Sequence, residues 1–137
     1  MNDNSMREAL SSTGPVERVV ETVYATGYWL FGQERYADAA AVFRVLLQAA
    51  PEMERSWLAL GECHERAGQL RLALELYTAG TVAAAPAPRC SLARARTLKA
   101  LGRDMEADAA FDVARELAED SDDATLVRQV DIEARAA

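Results

Sequence analysis

The sequence has few of the residues from which catalytic and metal sites are usually built. Only one of its 137 residues is histidine and two are cysteine, and it contains no Cys-x-x-Cys, phosphate-loop or Gly-x-Ser-x-Gly motif. His64 has no carboxylate or serine in a recognisable relation to it, and the adjacent Cys63 would point about 100° away from it on a helix. We therefore predict no catalytic residue, no metal and no cofactor, and we expect His64 to pack against a neighbouring helix.

Long apolar runs and an excess of positive charge are also missing. No stretch approaches the length that spans a bilayer, and the first ten residues, MNDNSMREAL, lack the cationic and apolar regions of a secretory signal. The formal net charge of −7 argues against sequence-independent nucleic-acid binding, which needs Lys and Arg to neutralise phosphates. We expect a cytoplasmic chain with buried thiols, no nucleic-acid partner and no direct membrane insertion. An acidic chain of this kind can still bind a basic or hydrophobic protein.

Helical patterning fills most of the chain, since its four prolines and seven glycines fall largely at regular breaks between apolar stripes. The length suits one domain. A polar, flexible N-terminal arm is predicted first and a C-terminal helix, capped by Ser121, last; this helix would close the stack. The predicted boundaries are 1–14 for the arm, 15–120 for a domain of helix pairs at about 20–51, 54–86 and 88–119, and 121–137 for the capping helix.

Three kinds of position recur every 34 residues and define a repeat. A small residue in the first helix, a small residue in the second and an aromatic residue four positions later keep this spacing. They are Gly27, Gly61 and Ala95; Ala39, Ala73 and Ala107; and Phe43, Tyr77 and Phe111. Small residues let two helices approach closely, and the aromatic ring fills the gap to the next pair. Together with Tyr36 and Trp57, the pattern resembles the tetratricopeptide repeat.

The predicted fold is therefore all-α, with three tetratricopeptide-like helix pairs stacked as a short right-handed solenoid. The turn within each pair carries Gly68 and Gly102 in the second and third repeats, but Glu34 in the first. A slightly different turn is expected at Glu34.

One stripe of residues is predicted to line the concave surface that stacked first helices form. At 100° per residue, Tyr24, Tyr28 and Phe31 lie together beside the core-facing stripe of the first helix. Trp29 falls on neither stripe and is interpreted as covered by the N-terminal arm, as a possible interface residue or as simply exposed. The alternative for the three rings is that they pack into the core. Corresponding positions would carry the groove from aromatic through acidic to basic: Leu58, Glu62 and Glu65, then Leu92, Arg96 and Lys99.

Three segments resemble the class II chaperones of bacterial type III secretion, which serve translocator proteins. They are VYATGYWLFGQERYADAAAVF, SWLALGECHERAGQLRLALELYTAG and APRCSLARARTLKALGRDMEADAAF, and the resemblance spans roughly residues 20 to 120. It implies a protein that holds secreted hydrophobic translocators in the bacterial cytoplasm, with an extended client segment in the concave groove. By the same resemblance Tyr24, Tyr28 and Phe31 are groove residues and Tyr36 is structural. A homodimer is possible, although the N-terminal region that contributes to dimerisation in the family is short here.

Two other functions remain open from the sequence. A repeat chaperone of a needle subunit would bind its client as a helix, which requires a broader groove and does not predict the aromatic series. A generic tetratricopeptide adaptor would bind a folded partner or a peptide terminus through basic clamp residues, and the first repeat offers aromatic residues instead.

Overall fold

The computed structural model describes residues 14–136, which form seven helices and, within that range, no strand. Nearly all of the predicted flexible arm, residues 1–13, lies outside the described residues. The helices are α1 Pro15–Gly32, α2 Tyr36–Ala49, α3 Glu54–Arg66, α4 Leu70–Ala83, α5 Pro88–Ala100, α6 Asp104–Asp120 and α7 Ala124–Arg135.

The helices pack as three consecutive pairs, α1 with α2, α3 with α4 and α5 with α6, and each pair also packs on the next. The first helices touch one another as well, since α3 contacts both α1 and α5, and α5 contacts α7. These contacts place α1, α3 and α5 side by side along one inner face. The predicted all-α stack of helix pairs is confirmed.

The recurring small and aromatic residues are the contact points within the pairs. A Cβ atom on Gly27 would lie 2.6 Å from the Phe43 ring, and one on Gly61 would lie 2.1 Å from the Tyr77 ring. Both rings are completely buried. Because no side chain fits between helix and ring, each glycine sets the distance between the two helices of its pair.

The remaining repeat positions also lie in the core. Ala39, Ala73, Ala95, Ala107 and Phe111 are buried. Trp57 is half-buried, and its indole N–H donates to the carbonyl oxygen of Pro51 at 2.7 Å, which ties α3 to the loop that precedes it. The spacing of 34 residues therefore reflects the same packing contacts, which recur in each helix pair.

The turn at Glu34 does not differ from the other two, so the expectation of a different turn is wrong. Glu34, Gly68 and Gly102 all have positive φ, at 59°, 78° and 75°. The amide of the residue after each one donates to a carbonyl five positions back; these bonds join Arg35 to Leu30 at 3.0 Å, Gln69 to His64 at 2.8 Å and Arg103 to Leu98 at 3.0 Å. This is the Schellman arrangement of a helix C-terminus. The shared packing imposes the same backbone even where the residue is not glycine.

The last helix, α7, closes the stack with its own apolar side chains. Leu126 and Val130 are buried against Leu92, Leu98 and Phe111 in the largest core cluster. The cap predicted at Ser121 is wrong. Asp123 caps α7 instead, through Oδ1, which accepts from the Leu126 amide at 3.0 Å. The Ser121 hydroxyl donates back to the Leu117 carbonyl oxygen at the end of α6.

Candidate functional site

The inner face carries three equivalent positions that lie next to one another. Tyr28 on α1, Glu62 on α3 and Arg96 on α5 are separated by 34 residues each. Their helices contact one another in that order, and in agreement with this the Glu62 charge acts on the Tyr28 hydroxyl and the Arg96 charge acts on Glu62. These side chains mark the middle of the candidate groove.

Five rings form a continuous aromatic cluster at the α1 end of this groove. The ring centroids of Tyr24 and Tyr28 are 4.9 Å apart and those of Tyr28 and Phe31 are 6.2 Å apart. Phe43 lies behind them, 5.9 Å from Tyr24 and 5.6 Å from Tyr28. Tyr36 meets the edge of Phe31 at 5.3 Å. Edge-to-face packing of this kind holds aromatic rings in defined orientations.

The cluster combines the two alternatives that the sequence left open. Its back packs on the buried Phe43, so the rings belong partly to the core. Its front remains accessible, since Tyr28 is 39% exposed and Tyr24 and Phe31 are half-buried. The rings therefore form a rigid apolar surface that is held in place by the core.

Two arginines flank the aromatic cluster, and the sequence analysis did not single them out. The guanidinium carbon of Arg55 lies 4.2 Å from the centre of the Tyr24 ring, and that of Arg66 lies 5.7 Å from the Phe31 ring. Arg55 also pairs with Glu21 on α1. Glu21 and Arg55 are themselves 34 residues apart, so the repeat spacing was the signal that would have predicted this contact.

Leu92 is a correction to the predicted groove. It is only 3% exposed and packs in the core with Phe111 and Leu126. It leaves the surface because α7 packs over this position of α5. Leu58, its equivalent in α3, is half-buried between Tyr77 and Ala93.

The predicted basic end of the groove is occupied by α7. Arg96 lies 3.2 Å from Glu133 and 3.9 Å from Glu65. The Lys99 ammonium donates to the carbonyl oxygens of Glu133 and Ala134 at 3.4 and 3.5 Å, and also to that of Ala136. A cation at the C-terminus of a helix stabilises it. Both basic residues therefore hold α7 in place, and both remain partly exposed, Arg96 with 38% of its side chain accessible.

Charge along the groove floor is organised around Arg96. Burial lowers the pKa of Arg96, but the carboxylates of Glu65 and Glu133 outweigh this effect and raise it overall. Glu65 also accepts from the hydroxyl groups of Tyr77 at 3.3 Å and Thr97 at 3.4 Å. Arg96, Glu65 and Glu133 thus form a partnered network in which the charges compensate one another.

Glu62 differs from this network. It is half-buried, and burial raises its carboxyl pKa, with Arg96 opposing that rise and Glu65 adding to it. Among the residues that the structure describes, Glu62 makes no hydrogen bond or ion pair. Its carboxylate is partly open to solvent at the α3 position equivalent to Tyr28, and Arg66 also opposes the rise in its pKa.

Trp29 lies on another face of α1. It is 60% exposed and borders a shallow hollow with Glu21, Thr22, Ala25 and Thr26. Val16 and Val19 of the same helix are also exposed. The possible interface at Trp29 stays a prediction.

The remaining chemically reactive side chains serve packing. His64 is buried, with Nδ1 2.7 Å from Gln69 Oε1 and Nε2 3.3 Å from Arg44 Nη2, so both ring nitrogens are engaged. Cys63 and Cys90 are buried free thiols. Over residues 14–136 the structure contains no group of three potential metal ligands, and none of the helices in that range is long and apolar enough to cross a membrane.

Comparison with known proteins agrees with the fold. A family model described as tetratricopeptide repeat matches residues 30–97. This match agrees with the 34-residue spacing of the packed helix pairs. Low calcium response locus protein H of Yersinia pestis is 30% identical over 101 residues, which span 74% of this chain and 60% of that protein. The alignment therefore covers less than two thirds of this curated relative.

Two type III secretion proteins have similar solved structures. The translocator chaperone SycD of Yersinia enterocolitica is 28% identical, with a TM-score of 0.72 over 84% of this chain and 80% of SycD. PcrH of Pseudomonas aeruginosa is 26% identical, with a TM-score of 0.78 over 89% of this chain and 93% of PcrH. PcrH has also been solved in complex with the chaperone binding region of PopD; that structure has 26% identity and a TM-score of 0.75 over 86% of this chain and 90% of PcrH. The predicted resemblance to translocator chaperones is confirmed.

Proposed function

We propose that this protein is a cytoplasmic chaperone of type III secretion translocator proteins. It binds an extended hydrophobic segment of the client in the groove formed by α1, α3 and α5, and it keeps the client soluble and competent for secretion. The observation that carries the proposal is the aromatic cluster, whose front is accessible while its back packs on Phe43. The protein acts by binding alone and has no catalytic turnover.

The physical basis is a surface that is formed before the client arrives. Because the rings are already ordered, an unfolded client meets little additional cost of ordering on the chaperone side. Buried aromatic anchors contribute about 1–3 kcal/mol each when a partner covers them. An extended segment that lies across several such rings is removed from water, which prevents its aggregation or its insertion into a membrane.

The comparisons support the same class of partner. SycD is described as a translocator chaperone, and PcrH binds the chaperone binding region of PopD. A needle-subunit chaperone, which needs a broader groove, is less consistent with this chain because α7 occupies one end of the inner face, where Arg96 and Lys99 are engaged. The same engagement leaves few free cations for the clamp of a generic adaptor.

The experiment is co-expression with a translocator encoded beside this gene. We expect the wild-type protein to keep the translocator soluble and to co-purify with it. Tyr28→Ala and Phe31→Ala should each weaken binding roughly 5- to 150-fold, the range that corresponds to about 1–3 kcal/mol. Far-UV circular dichroism checks that both variants keep their helical content.

Trp29→Ala is the matched control, since Trp29 is the aromatic neighbour of Tyr28 on another face of α1. It should bind the client as the wild type does. Light scattering on the same variant tests the predicted interface. The proposal fails if no translocator is kept soluble, or if Tyr28→Ala and Phe31→Ala bind as tightly as Trp29→Ala.

A further inference from the structure

We infer that Glu62 makes the groove selective for client segments that carry a lysine or arginine next to the apolar residues bound by the aromatic cluster. The inference rests on the proposed function and names a chemical feature of the client. It follows from the juxtaposition of an unpartnered, half-buried carboxylate with the accessible face of Tyr28.

Position is the first argument. Glu62 occupies the middle of the inner face, between Tyr28 on α1 and Arg96 on α5. An extended peptide that covers Tyr28 and continues along α3 must pass over the Glu62 carboxylate. Successive residues of an extended chain advance about 3.3 Å and alternate in direction, so a residue close to the bound apolar one faces this carboxylate.

The second argument is that the neighbouring charges are already committed. Arg96 bonds to Glu133 at 3.2 Å and lies 3.9 Å from Glu65. Lys99 donates to carbonyl oxygens at the end of α7. Within the described part of the chain no lysine or arginine lies within ion-pair distance of Glu62. Arg96 and Arg66 act on its charge from further away, and the Arg66 guanidinium carbon lies 5.7 Å from the centre of the Phe31 ring. The Glu62 carboxylate can therefore accept a direct hydrogen bond from water or from a bound molecule.

Charge complementarity then selects the occupant. A client that covers Glu62 with an apolar side chain strips water from a carboxylate that has no direct hydrogen bond or ion pair in the described chain, which is unfavourable. A lysine or arginine replaces the lost water with a charge-assisted hydrogen bond. Its methylene groups can lie on the Tyr28 ring while the charged end reaches the carboxylate, because these side chains bury their stems and extend their charged ends. The aromatic cluster binds the apolar neighbour at the same time.

The experiment uses fluorescein-labelled nine-residue peptides with leucine at alternate positions and serine between them. In turn, each serine is replaced by lysine or by norleucine, which keeps the stem and removes the charge. With the wild-type protein, fluorescence anisotropy should find at least one position where lysine binds about fivefold tighter than norleucine, the size expected of a partly exposed charge pair. This preference should shrink as salt is raised.

Glu62→Gln keeps the size of the side chain and removes its charge. We expect this variant to lose the lysine preference while it binds the norleucine peptides at least as tightly as the wild type. Glu116→Gln is the control for net charge, because Glu116 lies exposed on α6, and it should retain the preference. A lysine preference that survives in Glu62→Gln, or no preference in the wild type while norleucine peptides bind, overturns the inference and leaves the groove function standing. If none of the peptides binds the wild type, the groove function fails together with the inference.

Discussion

Replacing Glu34 by glycine should stabilise the protein. Glu34, with φ of 59°, adopts the left-handed conformation that the glycines adopt at the two equivalent turns. A residue with a side chain adopts this conformation at a cost of about 1–2 kcal/mol. The Glu34 side chain is exposed and makes no hydrogen bond or ion pair with any residue in 14–136. The substitution therefore removes backbone strain without removing a contact.

The expected gain in the free energy of unfolding is smaller than the strain energy removed, because glycine makes the unfolded chain more flexible. That difference costs about 0.5–1 kcal/mol. The free energy of unfolding should rise by about 0.5–1 kcal/mol, which corresponds to about 2–3 °C in the melting temperature of a domain of this size. Urea unfolding followed by circular dichroism measures the change, with the slope of the transition expected to stay constant.

Two reverse substitutions provide the matched controls. A Cβ atom at Gly68 or Gly102 would meet nothing within 4 Å, so Gly68→Ala and Gly102→Ala test the backbone alone. Each should lower the free energy of unfolding by about 1 kcal/mol. If Glu34→Gly proves neutral or destabilising while both alanine variants lose stability, the equivalence of the three turns is refuted.

Two further predictions concern the core. Gly61→Ala places a Cβ atom 2.1 Å from the buried Tyr77 ring. Urea unfolding should show a loss of about 1–2 kcal/mol in the free energy of unfolding, because the higher helix propensity of alanine offsets only part of the overpacking. In the control Gly32→Ala the new Cβ meets no atom within 4 Å, and equal stability of the two variants would contradict the prediction. Burial raises the pKa of Cys63 to about 11 and of Cys90 to about 12, from 9.0. Because both folded-state pKa values are raised, the free energy of unfolding should keep its full thiol contribution below pH 9 and fall above it. A thiol reagent at pH 8 should label both cysteines only in urea, and rapid labelling of the folded protein would count against their burial.

The fold was predictable because its main constraint is periodic. Gly27 and Gly61 lie against Phe43 and Tyr77, and such close contacts require a small and an aromatic residue at the same positions of each repeat. The placement of Tyr24, Tyr28 and Phe31 together on one stripe of α1 was predictable for a related reason, since helical geometry brings them to one side of the helix; their contact with the buried Phe43 was not. Their accessible surface follows from the same spacing.

The misses arise where one copy of the repeat has a different neighbour. Leu92 has the same position in its helix as Leu58, but α7 covers it, and helical spacing within α5 contains no information about that contact. At Glu34, residue preference alone predicts a different turn, but the packed helix pair imposes the same backbone hydrogen bonds as at the two glycine turns. The partnering of Lys99 with α7 depends on where a chain end lies in space, which no local pattern encodes.

The aromatic cluster lies at an end of the described stack, and this position affects how the protein recognises a client. Its three groove rings all belong to α1, which among the described helices contacts only α2 and α3. In repeat stacks the end units open most easily. The affinity for a client is therefore scaled by the fraction of molecules in which α1 is docked, and a client that contacts both α1 and α3 in the groove holds α1 in place. Substitutions at the α1–α2 contact, such as those at Gly27, will change the affinity without touching the client.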